Sequence, residues 1–311
     1  MLLVNKLAIV FNTCGISGRE AVQQYVNGIN SIIDQDIEGC EIIISSCLNS
    51  PEAISYVQDN ISRKVTFNLI KEKLPVNVTF NHSCLVAREL FGEFGGYLYI
   101  DSGITLRTNK DISILYDLLQ KGRHALVAAQ TDTDGGYDRW FGVDKMLTDS
   151  DFEIPIGKTI NLHCQIFSKD ILDYYGYLFP DIYASFCSES VFTFLCSAIG
   201  KTFVLSKDVM VSHIHSMDGP SSGFDPREWM MNGGITYEHP FLVDSVVRIA
   251  KEGHEFGFGY EEVQDLVVHK PEKYDGLICN DPRLKDFIRD NQFVGNMGLL
   301  DYSQIDHEVL Q

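Results

Sequence analysis

Short, unbroken apolar runs recur through the first third of the chain, each closed by polar or glycine residues, and they constrain the fold more than any other feature. Residues 7–11 (LAIVF), 41–45 (EIIIS), 65–70 (VTFNLI) and 97–100 (YLYI) are too short for helices and lack the alternation of a half-wet strand. Such runs suit strands buried on both faces of a parallel sheet. Helical patterns fall between them. From Arg19 to Ile33 the apolar residues Val22, Val26, Ile29 and Ile33 recur at spacings of three and four, predicting a helix with one face on the sheet and Ser17 as its cap. Pro51 opens a second helix over residues 52–59, and residues 83–94 supply a third. Beyond these, residues 111–121 and 189–199 read as helices, and 124–130, 201–206 and 209–216 as strands. The order predicts an α/β fold: a mostly parallel central sheet flanked by helices on both sides.

Charge narrows the function. The net charge of −18 comes with no face or stretch that gathers Lys and Arg, which excludes a general nucleic-acid binder and disfavours anionic membranes. An anionic substrate such as a diphosphate would then need local neutralisation by placed basic groups, helix N-termini or a divalent cation. Eight cysteines are scattered without a CxxC pair and read as buried free thiols. The N-terminal MLLVNKLAIVF lacks a signal-peptide cleavage pattern, and no apolar run reaches the length of a membrane span. A cytoplasmic protein is expected.

In open α/β sheets ligands bind outside the carboxyl ends of the strands, so the polar residues that follow each strand are the candidates for chemistry. Asp101 follows YLYI, and the small Ser102 and Gly103 after it let a bulky ligand approach the backbone. A carboxylate there holds a divalent metal or caps a turn. His213 and His215 alternate on a strand-like segment, so they face the same way, as metal ligands or as hydrogen-bonded surface groups. Residues 131–141 mix Asp132, Asp134, two glycines, Tyr137 and Trp140, a composition that binds sugar rings or anchors a long surface loop.

Three stretches carry a family resemblance. Residues 7–53 (LAIVFNTCGISGRE through EIIISSCLNSPEA) resemble the opening of GT-A glycosyltransferases, especially the family 2 type. FNHSCLVARELFGEFGGYLYIDSG resembles that family's N-x-G-x-x-x-A-R-N stretch followed by a strand and the DxD metal motif. CSESVFTFLCSAIGKTFVLSKDVMVSHIHS is similar to its acidic segment, helix, strand and downstream His. The resemblance spans roughly residues 6–216. It implies a GT-A fold and transfer of a sugar (hexosyl or pentosyl) from a nucleotide diphosphate sugar, UDP-sugar favoured, to a glycan or other hydroxyl acceptor. By position it places Asn12, Ser46, Asn81, Arg88, Asp101, Ser102 and Gly103 around the donor. Asp101, His213 and His215 would hold Mn2+ or Mg2+, Glu189 would be the general base of an inverting transfer, and Asp132, Asp134, Tyr137 and Trp140 would meet the acceptor. Two departures stand out: Gly103 replaces the second acid of DxD, and Ser188 replaces the acid usually adjacent to Glu189.

Two other readings compete. A sugar-phosphate nucleotidyltransferase shares the architecture, but its basic, Gly-rich loop after the first strand is missing from NTCGISGRE. An inactive sugar-nucleotide-binding protein would follow if the altered DxD means lost catalysis. A dinucleotide-dependent oxidoreductase is disfavoured because the first turn lacks G-x-G-x-x-G. Residues 1–216 are expected to form the catalytic domain, and 217–311 a C-terminal extension of helices and loops packed on it as acceptor side, lid or oligomer contact.

Overall fold

The computed structural model describes residues 7–14, 19–47, 49–72, 74, 76–132, 150–154, 163–179, 192, 196, 199–213 and 302–311. A single sheet organises them. Its parallel centre is built from β1 (Leu7–Cys14), β2 (Cys40–Cys47), β3 (Thr66–Ile70) and β4 (Gly96–Asp101). It continues through the short β5 (Ile104–Thr105), β6 (His124–Thr131), β7 (Phe152–Glu153), β8 (Cys164–Ser168), β9 (Thr202–His213) and β10 (His307–Leu310). The strand order is β10-β3-β2-β1-β4-β8-β6-β9-β5, with β7 beside β9. β6 and β9 run parallel to each other, whereas β8 lies antiparallel between β4 and β6.

Helices cover both faces, as the apolar runs require. On one face α1 (Arg19–Ile33), α2 (Pro51–Asn60) and α4 (Asp111–Gln120) bury Val22, Val26, Ile29, Val57 and Leu115 against Ile9, Phe11, Ile44 and Ile100. On the other, α3 (Val76–Phe91) and α5 (Lys169–Tyr175) pack Phe80, Cys84, Ala87 and Ile171 on Val10, Tyr97 and Phe167. α2 starts as its sequence dictates, with Pro51 in the first turn and the Ser50 hydroxyl accepting the Ala53 N–H at 3.1 Å. Among the described residues, no helix is long and apolar enough to cross a membrane. Cys84, Cys164 and Cys196 are buried thiols, and burial pushes each pKa up.

Three elements differ from the sequence expectation. α3 begins at Val76 instead of residue 83 and stops at Phe91, where Gly92 takes the left-handed conformation. Its extra turns hide in polar letters: Asn77, Thr79, Asn81 and His82 are all buried, so no apolar stripe announces them. β9 is one strand, not two. Exposed Lys207 and Asp208 interrupt its pattern, and Gln130 steadies that irregular point by donating to the Ser206 and Lys207 carbonyls at 2.9 and 3.0 Å. The pattern also concealed β8 and α5. Most of the expected helix at 189–199, and Ser17, lie outside the described residues.

The last residues of the chain close the sheet edge. β10 pairs antiparallel with β3, and Tyr302 and Ile305 pack on Ile70, Leu74 and Val78. His82 lies beneath this edge, its ring 4.5 Å from that of His307, with Nδ1 3.0 Å from the Asn68 amide nitrogen. That nitrogen also donates to Ser83 Oγ at 2.8 Å. Burial, reinforced by His307 and opposed by Glu72, lowers its pKa from 6.5 to about 4.

Two outcomes are expected. The unfolded chain binds a proton at His82 near pH 6.5 and the folded chain only near 4. Stability present above pH 6.5 is therefore lost as pH falls towards 4, by roughly 3 kcal/mol. Urea titrations at stepped pH should show His82→Gln removing about one proton from this dependence. Gly28 on α1 has no room for a methyl, because a Cβ would stand 2.7 Å from the Ile104 carbonyl oxygen and 3.1 Å from Phe11. Gly28→Ala should destabilise by about 1–3 kcal/mol in the same assay.

Candidate active site

Three strand ends meet at the carboxyl edge of the sheet. β4 runs out at Asp101, which pairs in register with Asn12 of β1. Because β8 runs the opposite way, its start lies where β4 finishes, and the Asp101 N–H donates to the His163 carbonyl at 2.8 Å. β9 ends at His213, opposite Ile104 of β5 just beyond the Ser102-Gly103 turn. One carboxylate oxygen and two imidazole nitrogens, from Asp101, His163 and His213, thereby come within 4.8 Å of one another. The two ring centroids lie 3.7 Å apart with the planes tilted by 34°, and His163 Nδ1 is 3.3 Å from Asp101 Oδ2.

Each member of the cluster is held. The Ser102 N–H donates to Asp101 Oδ1 at 2.8 Å. Burial pushes the Asp101 carboxyl up, but the His163 hydrogen bond, both imidazoles and the Ser102 amide outweigh it, leaving the pKa below its ordinary value. His213 is fixed through its backbone, whose N–H donates to Asp132 Oδ1 at 3.1 Å. Ser212 Oγ donates to Asp132 Oδ2 at 3.0 Å, and the Arg107 guanidinium closes the group by pairing with Asp132 and donating to Ser212 Oγ. These partners outweigh burial and hold the Asp132 carboxyl low. Two residues after His163, in β8, the fully buried Gln165 has no partner for either amide atom among the described residues. Unpaired buried amides cost free energy and tend to survive where a site needs them.

A second feature lies two strands away. A pocket between α1, α2 and the ends of β1 and β2 has Tyr25, Ile44, Val57 and Phe67 in its walls and Thr13, Ser46 and Asn49 among its polar lining. The Asn49 amide donates to Thr13 Oγ1 at 2.6 Å and Ser46 Oγ at 2.7 Å. Its polar lining carries no charge.

The structure thus brings Asp101 and His213 together and adds His163, which the sequence reading missed. The miss has a physical origin: in a parallel sheet, a residue preceding a strand lies at the amino edge, and only the reversal of β8 carries His163 to the carboxyl edge. The other expected site residues divide. Ser46 lines the pocket, and Ser102 and Gly103 form the turn beside the cluster. Asn12 reaches the carboxyl edge, but its buried amide is tied to Val76 O and Thr79 Oγ1 at 3.2 and 3.0 Å, so it anchors the start of α3. Asn81 is consumed structurally: it donates to Phe179 O and Tyr302 Oη and accepts the Leu178 and Phe179 amides. Arg88 is not brought to the site. It lies twelve residues along α3 from Val76, about 18 Å, and pairs at 2.5 Å with Glu93, just ahead of β4. Asp132 meets His213. Asp134, Tyr137, Trp140, Glu189 and His215 lie outside the described residues.

No family model matches the chain, and no curated protein does. Solved structures do. The chain is similar to S. aureus TarS 1–349 with a TM-score of 0.51 at 12% identity, covering 87% of this chain and 77% of that one. A longer S. aureus TarS structure gives 0.50 at 12% identity over 87% of this chain and 47% of that one. GalNAc-T7, solved with UDP, GalNAc and Mn2+, gives 0.53 at 10% identity over 93% and 57%. The chain thus spans about half the length of the last two. At these identities the likeness shows the fold, a GT-A arrangement of a mostly parallel central sheet flanked by helices.

Removing the Asp132 carboxylate takes away the acceptor for the His213 N–H and Ser212 and leaves Arg107 without its counter-ion. Asp132→Ala should lower stability by about 1–2 kcal/mol in urea titrations. His213 ring resonances should shift while those of His307 stay in place.

Proposed function

We propose that this chain is a glycosyltransferase that moves a sugar from a nucleotide diphosphate sugar to a hydroxyl acceptor. The observation that carries the reading is the convergence of Asp101, His163 and His213 at the carboxyl edge of a GT-A sheet, two strands from the polar group of Thr13, Ser46 and Asn49 at the ends of β1 and β2. Two strand spacings are about 10 Å, a distance that a nucleoside diphosphate bridges. Its base would lie at the carboxyl ends of β1 and β2, near Thr13, Ser46 and Asn49, with UDP as the favoured nucleotide. Its diphosphate would lie over the Asp101-Ser102-Gly103 turn.

The net charge of −18 makes neutralisation of that diphosphate the central electrostatic problem. The Arg107 guanidinium is engaged by Asp132 and Ser212, and Arg88 stands at the other end of α3. A divalent cation held by Asp101, His163 and His213, of the Mn2+ or Mg2+ type, meets the need, and when bound it would stabilise the charge that develops on the leaving diphosphate. Two imidazoles and one carboxylate suit an ion of the Mn2+ type better than Mg2+, which prefers oxygen ligands. His215 and the finer roles follow the family resemblance. Glu189 would take the proton from the acceptor hydroxyl as that oxygen attacks the anomeric carbon, giving inversion. Asp134, Tyr137 and Trp140 would line the acceptor side. Asp132 would act beside them through its hold on His213. A role in glycan biosynthesis in the cytoplasm is in keeping with this chemistry.

A thermal-shift panel of UDP-, GDP-, CMP- and dTDP-sugars with and without Mn2+ tests the reading, followed by donor hydrolysis. One nucleotide sugar should raise the melting temperature, and Asp101→Ala should remove that shift. Glu189→Gln should keep the shift but lower turnover by about a hundredfold or more. Release of pyrophosphate from a nucleoside triphosphate, with no response to any nucleotide sugar, would establish a nucleotidyltransferase instead.

A further inference from the structure

We infer, on the donor placement proposed above, that residues 302–310 position the nucleotide end of the site by gripping the turn that leaves β3, so that docking of this segment and binding of the nucleotide strengthen each other. The segment touches neither Asp101 nor the two imidazoles. Its effect falls on donor affinity, not on the chemical step.

Strand direction brings the segment to the right place. β3 runs parallel to β2 and β1 and ends at the same carboxyl edge, with Ile70 level with Cys47 and Cys47 level with Cys14. β10 runs against β3, with His307 opposite Ile70 and Leu310 opposite Phe67. The residues that lead into β10 therefore lie at the carboxyl edge, beside the end of β3. There Tyr302 and Ile305 pack on an apolar cluster of Cys47, Ile70, Leu74 and Val78. Cys47 directly follows Ser46, whose hydroxyl accepts the Asn49 amide that also reaches Thr13. The docked segment and the polar group that would meet the base thus share the end of β2.

Hydrogen bonds hold the turn from both sides. The Lys71 N–H donates to the Asp306 carbonyl at 3.0 Å, and the Asp306 N–H donates to Glu72 Oε1 at 3.0 Å. On the opposite side, Cys47 Sγ donates to the Glu72 carbonyl at 3.0 Å. Glu72 is therefore a bridge between the segment and the end of β2. The Asn81 amide donates to Tyr302 Oη at 2.8 Å, and the His307 ring covers that of His82 with centroids 4.5 Å apart. The pairs of Lys71 with Asp306 and Glu308, at 3.7 and 3.9 Å, are half exposed and contribute little. Undocking would strip Ile70, Leu74 and Val78 of apolar cover and take the Asp306 N–H from Glu72, loosening the turn against Cys47. A nucleotide seated by Thr13 and Ser46 meets an ordered edge only while the segment is docked. By linkage, the bound nucleotide must then hold the segment down by the same factor.

The test keeps the full chain and weakens the docking with one substitution. Lys71 and Asp306 form a hydrogen-bonded pair, so the alternation of an antiparallel ladder makes Glu308 and Leu69 the next such pair. Glu308→Pro removes that ladder donor, and the exposed Glu308 side chain leaves no hole behind. Calorimetry with UDP, GDP, dTDP and CMP, each with Mn2+, reads affinity. The nucleotide that binds the unaltered chain should bind Glu308→Pro about tenfold more weakly, whereas Glu308→Ala, which loses only the exposed pair with Lys71, should bind it unchanged. Tyr302→Phe, which removes the acceptor for Asn81, should weaken it several-fold and serves if the proline variant folds poorly. In donor hydrolysis the loss should appear in KM with kcat retained. Hydrogen exchange across residues 302–310 of the unaltered chain should slow on adding the nucleotide, by the factor lost in Glu308→Pro. Undiminished or tighter nucleotide binding in a variant whose exchange shows residues 302–310 undocked overturns the inference, and so does exchange that the nucleotide leaves unchanged. Both results leave the glycosyl-transfer reading intact. Failure of all four nucleotides to bind the unaltered chain overturns the inference together with the donor placement on which it rests.

Discussion

The hydrogen bond from the Asp101 amide to the His163 carbonyl marks the constraint on which the candidate site depends. It is the last link between β4 and a strand that enters the sheet against the prevailing direction. With β8 inverted, its first residue reaches the edge where the parallel strands terminate. An ordinary parallel insertion there would place His163 roughly a strand's length away, about 17 Å for five residues, and leave Asp101 and His213 without a third donor. The reversal also fills the space between β4 and β6, so that Phe167 continues the apolar layer of Tyr97 and Phe80.

A second layer of organisation uses buried polar groups instead of apolar contacts. Asn12 with Thr79, Asn68 with His82 and Ser83, and Asn81 with Phe179 and Tyr302 stitch α3 to strands and to the far end of the chain. Such bonds add little net free energy when made but are costly when broken, so they fix register more than they add stability. Two of these residues, Asn12 and Asn81, stood in the sequence as donor ligands. The structure shows their amides engaged in anchoring α3. The last residues of the chain take part in the same stitching, through Tyr302 and the β10 strand that caps β3. The sheet formed by residues 7–213 is thus completed from the opposite terminus.

Legibility followed burial pattern. The runs LAIVF, EIIIS and YLYI became β1, β2 and β4 because strands covered on both faces must be apolar throughout, and α1 emerged with the expected bounds because its stripe is clean. α3 was half hidden by its buried Asn, Thr and His residues, whose partners lie in other elements. At the site, Asp101 was legible as the residue closing an apolar strand and His213 as one of an alternating pair. His163 carried no comparable signal, since a lone histidine before CQIFS acquires meaning only through strand direction. Arg88 stood by motif among the donor-binding residues, yet the length of α3 carries it to the opposite end of the sheet.

The sequence by itself determined the α/β layering, the helix-covered sheet and the net negative charge, because each follows from local pattern or summed charge. Tertiary structure alone decided which polar residues meet. Strand order and direction brought Asp101, His163 and His213 together from positions 62 and 50 residues apart. Nothing in the spacing of the letters encodes that meeting, since strand direction arises from the competition among pairings of the whole sheet.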